Sequence, residues 1–160
     1  MNPPDTSAAP PLRILTVDDE EIVLVALRET LKQQGYTVVA ASSAVDGLNA
    51  LQRETFAVVL TDQMMPGLTG LEFLAQAKKI QPDASRILIT AVLNVNTVID
   101  AINKAEIFRF ILKPWQREEF LSAIHAGLER YQTLVQNKQR LAAALAENER
   151  LQTQIRELKA

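Results

Sequence analysis

The chain has 160 residues, 48% hydrophobic and 22% charged, with a formal net charge of −2 and no cysteine. That is enough for one domain with an appendage and a real core, but it offers no concentrated basic face for nucleic acid or an anionic membrane, and it excludes disulfides and thiolate metal sites. No apolar run approaches the ~20 residues of a membrane span, and MNPPDTSAAPP at the start lacks the basic beginning and apolar core of a signal peptide, so a cytoplasmic protein without membrane contact is expected.

Residues 1–11 carry four prolines and predict a disordered tail. Arg13 to Val17 is a β-rich run that ends on Asp18-Asp19-Glu20. The period then changes: Val23, Leu24, Leu27 and Leu31 share a helical face, closed by Gly35. Tyr36 to Ala41 reads as a second strand. Ser43 with Asp46 forms a capping pattern ahead of a helix through Ala44, Leu48 and Leu51.

FAVVLTDQMMPGLTG, from Phe56 to Gly70, is the stretch that organises the rest. The apolar strand Ala57 to Leu60 delivers Asp62 to a reversal at Met65-Pro66-Gly67, and a continuous apolar run of this kind reads as a strand buried on both faces of a parallel sheet. Thr69 with Glu72 repeats the capping pattern and opens a helix through Leu71, Leu74, Ala77 and Ile80 that Pro82 ends. Arg86 to Thr90 is a fourth strand. Val98, Ala101, Ile102 and Ala105 mark a fourth helix, and Ile107 to Leu112 a fifth strand before Lys113-Pro114. Five strands alternating with helices predict an α/β doubly wound domain with a parallel sheet.

From Gln116 to Lys159 there is no proline and one glycine, Gly127. Such a helix would run for roughly 65 Å, more than five strands can cover. Leu121, Ile124 and Leu128 are expected to pack on the sheet, and the rest to project. From Leu134 a heptad can be read, with Leu134, Leu141, Asn148 and Ile155 at one seam position and Asn137, Ala144, Leu151 and Leu158 at the other. This predicts a coiled coil, and a buried Asn148 favours a parallel dimer in register. A single helix folded back on its own domain is the competing reading.

Ligands of parallel sheets collect at the carboxyl ends of the strands. There the sequence places Asp18 and Asp19, Asp62, Thr90 and Lys113. Clustered carboxylates repel unless a cation sits among them, and oxygen-only ligands fit a hard ion such as Mg²⁺. A carboxylate facing such an ion, an ammonium and a hydroxyl can attack a phosphoryl group and hold its charge. Each residue also has a plainer use: Asp62 or Asp19 as a cap, Thr90 as a β-branched strand residue, Phe110 as core. His125, the only histidine, has no acidic motif around it and is read as structural or solvent-facing. Gly67 to Gly70 lacks the Gly-Lys-Ser/Thr of a nucleotide loop.

VDDE at 17–20, TDQMMPGLTG at 61–70, Thr90-Ala91 and Lys113-Pro114 together resemble the receiver domain of two-component response regulators. The resemblance covers 12–128 and implies a flavodoxin-like sheet of order 2-1-3-4-5. It implies that Asp62 accepts a phosphoryl group from a sensor histidine kinase or phosphotransfer protein, as one step of a phosphorelay. Mg²⁺ would be bound by Asp18, Asp19, Asp62 and the backbone carbonyl of Met64; Thr90 and Lys113 would contact the phosphoryl oxygens, and Phe110 would be the aromatic switch. A cis Lys113-Pro114 bond is also implied. On this reading the chain is a regulator rather than an enzyme, and 129–160 is a coiled-coil signalling helix continuous with the last receiver helix, carrying the state to an output as a parallel homodimer.

Two other readings stay open. A phosphatase of the haloacid dehalogenase type also uses an aspartate on a doubly wound sheet, although its second aspartate would fall at Met64. A constitutive coiled-coil scaffold is the other. The pattern breaks off at Lys159-Ala160, and NKAEIFRFILKPW at 103–115 resembles receivers found ahead of large output domains, so whether the chain is part of a longer regulator stays open.

Overall fold

The computed structural model describes residues 12–159, so the tail expected at 1–11 lies outside the described residues. The elements run β1 (Arg13–Val17), α1 (Glu21–Gln33), β2 (Thr37–Ala41), α2 (Ala44–Arg53), β3 (Val58–Asp62), α3 (Gly70–Ile80), β4 (Ser85–Thr90), α4 (Val95–Asp100), a π-helical turn (Ala101–Ala105), β5 (Arg109–Leu112) and α5 (Arg117–Lys159). The five strands form one parallel sheet of order β2-β1-β3-β4-β5, the flavodoxin-like arrangement.

Alternation along the strands splits the core into two layers. Leu15, Val17, Val59 and Leu88 face α2 and α3, meeting Leu51, Phe73, Leu74 and Ala77. Ile14, Val58, Leu60, Ile87, Ile89 and Ile111 face α1 and α5, meeting Leu27, Leu31, Phe120, Ile124, Leu128 and Tyr131. Because β3 is covered on both sides, all five of its residues are buried. Both expected caps form: the Asp46 amide donates to Ser43 Oγ and the Glu72 amide to Thr69 Oγ1.

β2 begins one residue later than expected, at Thr37, and β4 one residue earlier, at Ser85; three further boundaries differ by more or change what is buried. β3 extends through Asp62, so the key carboxylate closes the strand itself. β5 begins at Arg109 instead of Ile107, since Glu106 takes a left-handed conformation (φ 46°) that ends the preceding turn. The fourth helix starts earlier, capped by the Asn94 side chain on the Thr97 amide, and then widens into the π turn. That wider turn buries Ala101 and Ala105 but leaves Ile102 54% exposed, off the face it was expected to share.

α5 packs on the sheet through Tyr131 and, with Val135 half-buried, somewhat beyond Leu128; from Gln136 to Lys159 it is exposed. Leu134 is half-buried, whereas Leu141, Asn148, Leu151, Ile155 and Leu158 all lie on the projecting part. No helix among the described residues is long and apolar enough to cross a membrane.

Candidate functional site: an acidic pocket at the sheet edge

Asp18 and Asp19 follow β1, Asp62 ends β3, Thr90 ends β4 and Lys113 follows β5, so all meet along one edge of the sheet. The neighbouring strand contributes directly: the Gln63 amide donates to the Ile89 carbonyl and the Lys113 amide to the Thr90 carbonyl. These bonds carry the ladder one residue past the strands and fix where the side chains of Asp62 and Lys113 begin. Lys113 then reaches past the end of β4 to place Nζ 2.9 Å from Asp62 Oδ1. Asp62 is 5% exposed.

Asp18, Asp19 and Asp62 each offer a carboxylate oxygen within 4.8 Å of the other two. Asp18 is buried; its Oδ1 accepts the Glu20 amide at 2.9 Å, while Oδ2 is buried with no partner among the described residues. An orphaned buried oxygen on a carboxylate that clusters with two others is what a hard divalent cation would satisfy, and the all-oxygen donor set fits one. Burial, assisted by the charge of Asp62, raises the Asp18 pKa above its ordinary 3.8, against the lowering effect of the Glu20 amide. For Lys113, burial acts to lower the pKa, but the hydrogen bond and charge of Asp62, followed by Asp18 and Glu20, outweigh it and the net shift is upward.

The remaining expected residues are placed differently. Asp19 is exposed, and α1 is capped by no side chain, so Asp19 does not serve as its cap. Thr90 is 4% exposed, and its hydroxyl donates to the Val92 carbonyl at 3.0 Å and accepts from the Val92 amide at 3.3 Å, so it is engaged with its own loop. Phe110 is half-buried against the α2–α3 layer. The Met64 side chain points outward, 77% exposed, while Met65 is buried and its sulfur lies 3.6 Å from Thr61 Oγ1. Lys113-Pro114 is cis. His125 is exposed and pairs with Glu129 at 3.1 Å, away from the site.

One residue of the site escaped sequence reasoning. Gln63 binds the start of α3 twice, its backbone carbonyl accepting from the Gly70 amide at 3.0 Å and its Oε1 from the Leu71 amide at 2.9 Å. It thereby ties the 63–70 loop back on the residue next to Asp62. A lone glutamine carries no periodic signal, and the motif at 61–70 that contains it does not say that its side chain turns toward the helix.

A doubly wound parallel sheet with a buried carboxylate, two acidic neighbours and a lysine at one edge is the arrangement of an aspartate-centred α/β domain. The model of the response regulator receiver domain matches residues 14–125, and the chain belongs to that family. It is 37% identical over 116 residues to the hydrogenase transcriptional regulatory protein HoxA of Cupriavidus necator, a match covering 72% of this chain and 24% of that protein. With the C4-dicarboxylate transport transcriptional regulatory protein DctD of Rhizobium meliloti it shares 28% identity over 145 residues, 91% of this chain and 31% of DctD. A match of that length takes in part of α5 beyond residue 125. The chain thus spans only 24% to 31% of the length of these relatives. Among solved structures, the beryllofluoride-activated NtrC4 receiver domain dimer superposes with a TM-score of 0.69 at 33% identity, covering 74% of this chain and 98% of that one.

Proposed function

We propose that this chain is a phosphorylation-dependent signalling switch whose phosphoacceptor is Asp62. One observation carries the reading: a buried carboxylate closes the central strand 2.9 Å from an ammonium and within 4.8 Å of two further carboxylates. An Asp62 oxygen attacks the phosphorus of a phosphohistidine on a sensor histidine kinase or phosphotransfer protein; the P–N bond breaks and its electron pair stays on the imidazole nitrogen. Lys113 holds charge on the phosphoryl oxygens, and Thr90 turns from Val92 to join it. Phe110, on β5 beside β4 and half-buried against the α2–α3 layer, follows that movement. Asp18, Asp19, Asp62 and the Met64 carbonyl would hold Mg²⁺, which supplies charge neutralisation when bound.

The proposed division is a receiver from 12 to 128 followed by a helix from 129 to 160 that acts as a parallel dimeric coiled coil, its seam free for a partner only beyond Tyr131 and Val135, which still pack on the sheet. Exposed Leu141, Leu151, Ile155 and Leu158 support it, since an isolated helix leaves these apolar side chains in water. The beryllofluoride-activated NtrC4 receiver domain is a dimer in solution. The test is direct: with Mg²⁺ and a small-molecule phosphodonor, intact mass should gain one phosphoryl group in the native chain and none in Asp62→Asn. Equal labelling of the variant would overturn the assignment.

A further inference from the structure

The junction that opens β4 holds two helices at once. Arg86 is 1% exposed; its Nε donates to the Ala105 carbonyl at 2.7 Å, its Nη1 to those of Pro82 and Ala84, and its Nη2 lies 3.8 Å from the Glu106 carboxylate. This pins the end of the π turn. One residue earlier, Ser85 Oγ donates to the Gly127 carbonyl of α5 at 2.7 Å and accepts from Arg130 Nη1, which also reaches the Asp83 carbonyl. A β-carbon at Gly127 would stand 3.2 Å from Val58 and 3.3 Å from Ser85, so α5 presses on the sheet at this point. The Arg130 guanidinium also lies 5.7 Å over the Phe108 ring.

Two turns further along α5, Lys138 Nζ meets both carboxylate oxygens of Asp83, each at 2.7 Å. Beyond Lys138 every described residue of α5 is exposed. α4 is the opposite case: between Val95 and Asp100 it buries no residue at all.

We infer that residues 83–86 form a latch that fixes the direction in which α5 leaves the sheet, with Asp83–Lys138 as its outermost contact. It rests on the proposed reading of α5 as the signalling helix. The inner contacts, through Ser85 and Arg130, are shielded; the outer pair is half in water and therefore weak and salt-sensitive. An adjustment at the carboxyl ends of the strands is taken up by the loosely packed α4, while the sheet and the root of α5 turn as one body. The signal then leaves as a reorientation of the whole receiver and helix root, and a partner that separates Asp83 from Lys138 would uncouple the two.

The absence of cysteine allows a clean test. Gln52→Cys and Ala142→Cys, both at exposed helical positions, take spin labels, and the labelled chain is diluted into an excess of unlabelled chain so that only distances within one chain are read. A narrow distance distribution is expected, the same with and without beryllofluoride. Asp83→Asn and Lys138→Gln should broaden it and quicken amide exchange at 132–138 by about two- to five-fold, the range of an exposed ion pair, whereas Lys138→Arg should keep both at the native level. Unchanged width and exchange in Asp83→Asn and Lys138→Gln would overturn the latch, and a native distribution that shifts with beryllofluoride would overturn the one-body movement. The width and exchange readouts need neither an occupied Asp62 nor a dimer. Failure of Asp62 labelling would therefore count against the proposed function and the one-body movement, and the latch would still stand or fall on Asp83→Asn and Lys138→Gln.

Discussion

Gly70 lies against the backbone of Asp62, so close that a β-carbon at position 70 would overlap the Asp62 carbonyl oxygen and crowd the Cα of Gln63. The first residue of α3 thus sets how far the end of β3 can move, and the loop between them, with Gly67 at φ 81°, is closed around that contact. Gly70→Ala should displace Asp62 from Lys113 and cost about 1–3 kcal/mol of stability, as overpacking against backbone does. Denaturant unfolding and the rate of phosphorylation by a small-molecule donor check it together: both should fall, and unchanged phosphorylation would show that the contact does not position Asp62.

Asp18 should make stability depend on pH and on metal. Burial and the Asp62 charge raise its pKa in the folded chain above the ordinary 3.8. A raised folded pKa contributes stability that is fully present below the unfolded value and is lost as pH rises through the folded one, so at neutral pH the metal-free protein carries the cost of an unpaired carboxylate. Asp18→Asn keeps an acceptor for the Glu20 amide and removes the charge. Without divalent cations it should melt higher, by roughly 2–4 °C for each 1 kcal/mol regained. Mg²⁺ should stabilise the native chain and leave the variant unmoved in the same thermal scan.

Self-dephosphorylation should be slow. Hydrolysis needs a water aligned behind phosphorus, and the side chains beside the site at 64 and 92, Met64 and Val92, are 77% and 68% exposed yet apolar, offering that water no hydrogen bond. A hydrogen bond contributing about 1.4 kcal/mol in the transition state is worth roughly ten-fold in rate. Met64→Asn or Val92→Glu should approach that gain in the decay of acid-labile phosphate; a decay unchanged or slower in both would remove the argument.

The chain should sediment as a dimer at micromolar concentration, with and without beryllofluoride. Leu151, 44% exposed on the projecting helix, sits at a seam position, so Leu151→Glu should give monomer while the receiver keeps its fold and its labelling at Asp62. Removing the helix after Lys138 should do the same. That cut is cleaner than one after Leu128, which would strip away Tyr131 and Val135 and expose the α1–α5 layer. A monomeric native chain would sink the coiled coil and leave the receiver standing.

What the sequence determined by itself is whatever repeats or punctuates. Alternating and continuous apolar runs gave the five strands, and helical periodicity gave the amphipathic faces of α1, α2 and α3. Because a parallel sheet sends every strand end to one edge, the residues at the ends of those runs, Asp18, Asp62, Thr90 and Lys113, were legible as neighbours along that edge from the sequence alone. Tertiary structure alone decided the rest. Gln63 clamping α3, Arg86 gathering four carbonyls, and Asp83 meeting Lys138 join single side chains to groups far along the chain, and such pairs leave no period to read. The π turn was likewise invisible, since its last carbonyl, that of Ala105, is satisfied by Arg86 on β4, and where a helix may widen is set by the partner that meets its end.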